Sequence, residues 1–446
     1  MSSNRIDATP QRIVAVDVLR GLVLVLLLPD LYGGFSFYRM AELNPGHWAW
    51  EPLSRAFMHV PWTGVAVWDL VMPVFVFLVG VAMALSYDKR KAAAQPAPRL
   101  LGHAALRSLT LVVLGMLLLI RVETYFDEIL PYLVMATGLP LAPWWRRVTK
   151  RGAATPSDAK IVMALSWVVV VGSAAWIVLH SERLGDYELD QILVLIGLAY
   201  FPAFCLQRYS VGVQAASATL ILLAYGAAFI FYQAPATMVP IGETFSGIQA
   251  HWNNGANLGA AVDQWLLNAL PRSSPYAGNA HGYYTLQFVP LIAVILAGTM
   301  VGRQLLRVDG AQRLPWRLAT IGTAGLVASG LLAATLVPMV KSLWTPSWTV
   351  FSTSVALLAL AASLRLFRGQ RASLLALPLV VLGSNALLLY VSAYRERWRV
   401  LALWNRWLGQ AAMSVSWRPV LESCLVLLTL WALAWVLFRL KVFVRL

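Results

Sequence analysis

Residues 58–86 read MHVPWTGVAVWDLVMPVFVFLVGVAMALS. After a histidine and a proline the stretch becomes apolar for long enough to cross a bilayer. Two residues stand out within it, Asp69 and Pro73. A carboxylate inside a membrane helix is costly and marks a functional site by default. Pro73 has no N–H, so it is expected to release the carbonyl of Asp69 from the helical ladder. Pro61 suits a first helical position, and the residues ahead of it stay outside the helix. His59 is therefore expected at a helix N-terminus, where the positive dipole end favours neutral imidazole, the form of a general base.

The rest of the chain has the same character. Of its 446 residues 59% are hydrophobic and 12% charged, with a mean hydropathy of +0.68. Those values exclude an ordinary soluble domain and predict an all-α, polytopic membrane helix bundle of about 11–12 spans. Candidate spans fall near 13–31, 64–86, 104–122, 129–145, 161–180, 189–206, 213–234, 284–302, 318–338, 348–364, 374–394 and 419–438. The chain reads as one integral-membrane domain, 1–446, with its N-terminal segment retained.

The net charge of +15 does not imply nucleic acid, because the basic residues gather at span ends. Read through the positive-inside rule, they put both termini in the cytoplasm. One segment, with Arg395, Arg397, Arg399, Arg406 and Arg418, then falls outside and is expected to lie on the outer surface as an amphipathic helix. Cys205 and Cys424 sit in apolar runs, and no Cys or His spacing suggests a metal site.

Several polar residues have bland readings beside functional ones. Asp17 and Arg20, three apart, can pair on the first helix, as an anchor or to help hold a cytoplasmic cofactor. Asp30 lies about 20 Å further along that helix, on the side of His59, where it could orient the imidazole or be an ordinary solvated carboxylate. Lys341 and Trp344 suit membrane anchoring. Asn385, inside a span, needs partners. The long connection 235–283 is rich in Gly, Asn, Pro and Ser, and such a loop within a bundle is often functional.

Five stretches together resemble the transmembrane acyltransferase family of heparan-α-glucosaminide N-acetyltransferase. They are RIVAVDVLRG (12–21), HVPWTGVAVWDLVMPVFVFLVG (59–80), NLGAAVD (257–263), VKSLWTPSW (340–348) and LGSNALLLYV (382–391). The resemblance implies transfer of acetyl from cytoplasmic acetyl-CoA to an amino sugar or glycan on the periplasmic side. The lack of eukaryotic processing signals and of a luminal domain leads to the expectation of a bacterial inner membrane, and the resemblance implies a homodimer. It puts His59 on the family's active-site histidine, with Asp69 and Asp30 as companion carboxylates. It points to Asp17, Arg20, Lys341, Trp344 and Asn385 for the donor, and to Trp62, Asn257 and Asp263 for the acceptor. Where the family commonly has Asn at the end of the first span, this chain has Leu31 beside Asp30. Asn385 or backbone groups near Pro73 are expected to face the oxyanion. The competing class is an ion-coupled solute or sugar carrier using Asp17, Asp69 and a kinked helix.

Overall fold

The computed structural model describes residues 14–31, 33–120, 122–137, 156–180, 189–270, 272, 274–278, 283–306, 312–367, 374–412 and 415–444; of 156–160 and 410–412 only the backbone is described. Sixteen α-helices can be followed among these residues: α1 Val14–Leu27, α2 Phe37–Leu43, α3 Trp50–Phe57, α4 Val71–Ala92, α5 Ala97–Leu119, α6 Tyr125–Ala136, α7 Pro156–Leu179, α8 Ile192–Gln207, α9 Val211–Phe231, α10 Leu258–Asn268, α11 Phe288–Leu305, α12 Leu314–Thr335, α13 Pro346–Leu366, α14 Leu377–Gly383, α15 Ala386–Ala412 and α16 Arg418–Arg439. The fold is an all-α membrane bundle.

Among the described residues eight helices are long and apolar enough to cross a membrane, or nine if the bent pair α14 and α15 counts as one span. The total is below the 11–12 expected for stated reasons. Helix α1 has 14 residues and α8 has 16, and the stretch 129–145 is described only to 137.

Helix α4 is the axis of the core, and it packs in parallel against α11. A Cβ on Gly80 would lie 2.1 Å from the carbonyl oxygen of Ile295, and one on Gly298 would lie 2.1 Å from that of Phe77. The two backbones touch because both positions are glycine. In lipid, where apolar burial gives no drive to associate, such close approach supplies the packing energy. A second contact of this kind joins α1 to α14. Gly21 meets the backbone of Leu379, and Gly383 meets the carbonyl of Asp17.

Two features of the decisive stretch differ from the sequence expectation. Residues 58–67 are irregular, and the helix begins only with a 3-10 turn at Trp68–Leu70 that runs into α4. Pro61 is therefore not a helix start, because the segment is held extended by a bridge between Thr63 and Val340. Pro73 falls in the first turn of α4, where a missing N–H costs nothing and makes no kink.

The arginine-rich segment also differs. Arg395, Arg397, Arg399 and Arg406 lie on α15, which begins at Ala386, and Arg418 opens α16. Arg395 donates to the carbonyls of Leu117 and Ile120, and Arg397 to that of Pro29. These oxygens belong to the C-terminal ends of α5 and α1, where helices favour cations. Arg399 pairs with Glu128 and Glu396.

The connection between α9 and α11 packs back onto the bundle at the end where α4 begins. Phe229 stacks on Trp252 with ring centroids 4.4 Å apart. This covered end holds the polar cluster described next.

Candidate functional site

Asp69 starts the site. It lies in the 3-10 turn that opens α4 and is fully buried. One carboxylate oxygen accepts from the backbone N–H of Ala66 at 3.0 Å. The other is 2.7 Å from Nδ1 of His59 and 3.2 Å from Nζ of Lys341. The carboxylate thus sits at the rim of the bundle, where the first turn of a helix favours an anion. His59 reaches it from the irregular segment ahead of the helix.

Three tethers hold that segment. The indole of Trp62 donates to the carbonyl of Trp252 at 3.2 Å. Thr63 donates to Glu243 at 2.9 Å. The N–H of Gly64 donates to the carbonyl of Met339 at 3.3 Å. The last contact sets residues 59–64 beside 339–341 and so delivers Lys341 to His59. Lys341 opens a short 3-10 turn that ends at Trp344, whose φ is +47°. That left-handed turn lets Thr345 cap α13 through the N–H of Trp348.

Lys341 is buried, and its ammonium lies 2.7 Å from Nδ1 of His59 and 3.0 Å from the hydroxyl of Tyr283. Nδ1 cannot donate to Asp69 while accepting from Lys341. The arrangement consistent with these contacts has Nδ1–H on Asp69, with the ammonium donating to Asp69 and to Tyr283 and lying 3.4 Å from Nε2. Nε2 then keeps its lone pair. The ring is 42% accessible and borders a cavity. Its pKa lies below the ordinary histidine value: burial is the largest cause and Lys341 adds to it, while Asp69 opposes both. Neutral imidazole is the form of a general base.

The cavity measures about 320 Å³. Leu24, Phe75, Leu193 and Leu387, from four different helices, supply part of its apolar wall. His59, Lys341, Tyr283, Gln287, Asp190 and Tyr390 supply polar groups.

The other sequence candidates are distributed as follows. Asp30 is buried, and its partners are Ser36 and Arg397; the carboxylate on His59 is Asp69, not Asp30. Lys341, read as a donor-binding residue, joins His59 and Asp69. Trp344 is fully buried in the core. Trp62 ties the His59 segment down. Asn257 caps α10 at the N–H of Ala260. Asp263 accepts from the N–H of Thr285. Burial pushes the Asp263 carboxyl up to about 6, so this group favours the fold below that pH and ceases to as pH rises through it.

Asp17, Arg20 and Asn385 lie at the opposite end of the bundle. Arg20 contacts Asp17 at 3.4 Å and the carbonyl of Gly383 at 3.3 Å. Asn385 donates to the carbonyl of Val442 and accepts from the N–H of Val444. It therefore does not face His59. Among the described residues no group of three or more His, Cys, Asp or Glu could hold a metal ion.

Tyr283 was not singled out by the sequence, although it closes the connection that was. Gln287 and Tyr394 carried no local signal either; Tyr390 lies within LGSNALLLYV and Asp190 reads only as an outward-facing acid, and their convergence is a property of the packing.

The structure defines a membrane bundle with a histidine–carboxylate–lysine cluster at one end, on the rim of a largely apolar cavity. Over 114 residues the chain is 32% identical to human heparan-alpha-glucosaminide N-acetyltransferase, and over 111 residues it is 31% identical to the mouse enzyme. These matches cover 26% and 25% of this chain but only 15% and 14% of the two relatives. They support a relation to that family. No family model matches the chain.

Proposed function

We propose that this chain is a membrane acetyltransferase that moves an acetyl group from acetyl-CoA to an amine or hydroxyl of an amino sugar or glycan. The observation that carries the reading is the contact of His59 with Asp69, 2.7 Å apart, on the rim of the cavity. Nε2 of His59 takes the proton of the acceptor as it attacks the thioester carbonyl. Asp69 fixes the tautomer and stabilises the imidazolium. The same proton then passes to the departing thiolate. The apolar wall keeps water from competing for the thioester.

In this reading the end with His59 faces the periplasm of a bacterial inner membrane and the termini face the cytoplasm. The basic residues at span ends support that placement. Asp17 and Arg20 occupy the donor side. The competing carrier reading gains no specific support, because Asp69 lies at the helix start and is matched by a histidine and a lysine.

The test is acetyl-CoA binding and release of free CoA with glucosamine present, in detergent-purified wild type and His59→Ala. Binding in both, with release only in wild type, is expected. Full release by His59→Ala would show the mechanism to be wrong, and no binding by either folded protein would favour the carrier.

A further inference from the structure

Acyl transfer needs a donor where the thioester oxygen gains charge, and neither Asn385 nor the backbone at Pro73 provides one at His59. The geometry points to Tyr283, held by Lys341, as the group that stabilises the oxyanion. This inference rests on the acetyltransferase reading.

Three observations carry it. First, Tyr283 borders the same cavity as His59, and the two rings meet edge to face with centroids 6.1 Å apart. Both rings therefore border the space in which an acyl carbonyl would sit. Second, the Tyr283 hydroxyl is 3.0 Å from Nζ of Lys341. An ammonium only donates, so the phenol oxygen is the acceptor in that contact. Third, Nζ of Lys341 also lies 3.2 Å from the buried Asp69 carboxylate. A phenol that accepts from a cation is a stronger donor, because the cation draws electron density from its oxygen.

The step balances as follows. The acceptor nitrogen or oxygen forms a bond to the carbonyl carbon, and the C=O π pair moves onto oxygen. That oxygen accepts from the Tyr283 O–H, with the Lys341 charge behind it. Nε2 of His59 takes the acceptor proton. The carbonyl re-forms, the C–S bond breaks with its electron pair on sulfur, and the His59 proton passes to the thiolate. Tyr283 donates a hydrogen bond throughout and transfers no proton.

Steady-state CoA release by Tyr283→Phe, run beside wild type and His59→Ala, tests the role. Loss of one oxyanion donor lowers kcat by about 100-fold, with KM for acetyl-CoA within about twofold, since the interaction belongs to the transition state. A Tyr283→Phe protein with wild-type kcat, or with a raised KM alone, overturns the role; the base assignment survives if His59→Ala is inactive. If wild type itself releases no CoA, the acetyltransferase reading and this inference both fail. Should the variant lose its thermal midpoint, replacement of Tyr283 by 3-fluorotyrosine, which keeps the ring and makes the phenol a stronger donor, decides. A changed kcat at unchanged KM supports the donor, and an unchanged kcat overturns it.

Discussion

At the scale of single residues, a buried lysine beside a histidine is the unusual feature. An ammonium 2.7 Å from an imidazole opposes its protonation, and burial acts in the same direction. Asp69 opposes both, yet the balance leaves His59 below its ordinary value. A base must be unprotonated, so kcat/KM should fall on the acid side only below the ordinary histidine range. Lys341→Met removes one of the depressing causes. The acid limb of its pH profile should move to higher pH, and a limb that stays or moves down would contradict the charge arrangement. The same substitution leaves Asp69 without one partner. Breaking a buried pair typically costs about 3–5 kcal/mol, so the profile should be taken well below the variant's thermal midpoint. His59 and Asp69 were legible in the sequence because a charge in an apolar run and a histidine just ahead of it are conspicuous. The role of Lys341 was not legible, because a lysine at a span end has an ordinary anchoring explanation.

At the scale of elements, the site depends on where α4 starts and on what it leans against. The sequence shows an apolar run, but not that the first ten residues after Met58 are held extended by Val340 and Trp252. It is those tethers, and not Pro61, that delay the helix to Trp68 and put Asp69 in its first turn. The parallel packing of α4 on α11 then fixes that turn. Gly80→Leu would place a side chain where a Cβ already lies 2.1 Å from the Ile295 carbonyl. The helices must part, at a cost of about 1–3 kcal/mol or more. A lower thermal midpoint in detergent is expected, together with reduced CoA release, since Asp69 and the helix that follows Gln287 shift together. An unchanged midpoint would mean that the contact is looser than described. Helix α15 makes the reverse point: its arginines read as a surface helix, yet they satisfy carbonyls at the ends of two other helices.

At the scale of the whole molecule, the polar groups segregate to two ends. His59, Asp69, Lys341 and Tyr283 gather at one, while Asp17, Arg20 and Asn385 gather at the other. Asn385 illustrates the limit of a motif. It was expected to face the donor, but both its hydrogen bonds go to the backbone of Val442 and Val444. Asn385→Ala should free the C-terminal segment, so that limited proteolysis there speeds up several-fold. CoA release should stay within about threefold of wild type, as expected of a change remote from the reacting atoms. Loss of activity with an undisturbed terminus would return Asn385 to the donor site.

By itself the sequence determined that this chain lives in a membrane as a helical bundle, and it singled out His59 with Asp69 and Asp30 as its candidate companions. Composition sets the solvent a chain must meet, and charged groups in apolar runs are conspicuous. Only the tertiary structure decided that Asp69, and not Asp30, holds the histidine, and that Lys341 and Tyr283 complete the cluster. The lysine is 282 residues from His59, and no periodicity or spacing encodes a contact at that range. It arises because backbone bonding between residues 63–64 and 339–340 brings two distant segments edge to edge, with the connection that ends at Tyr283 folded over them.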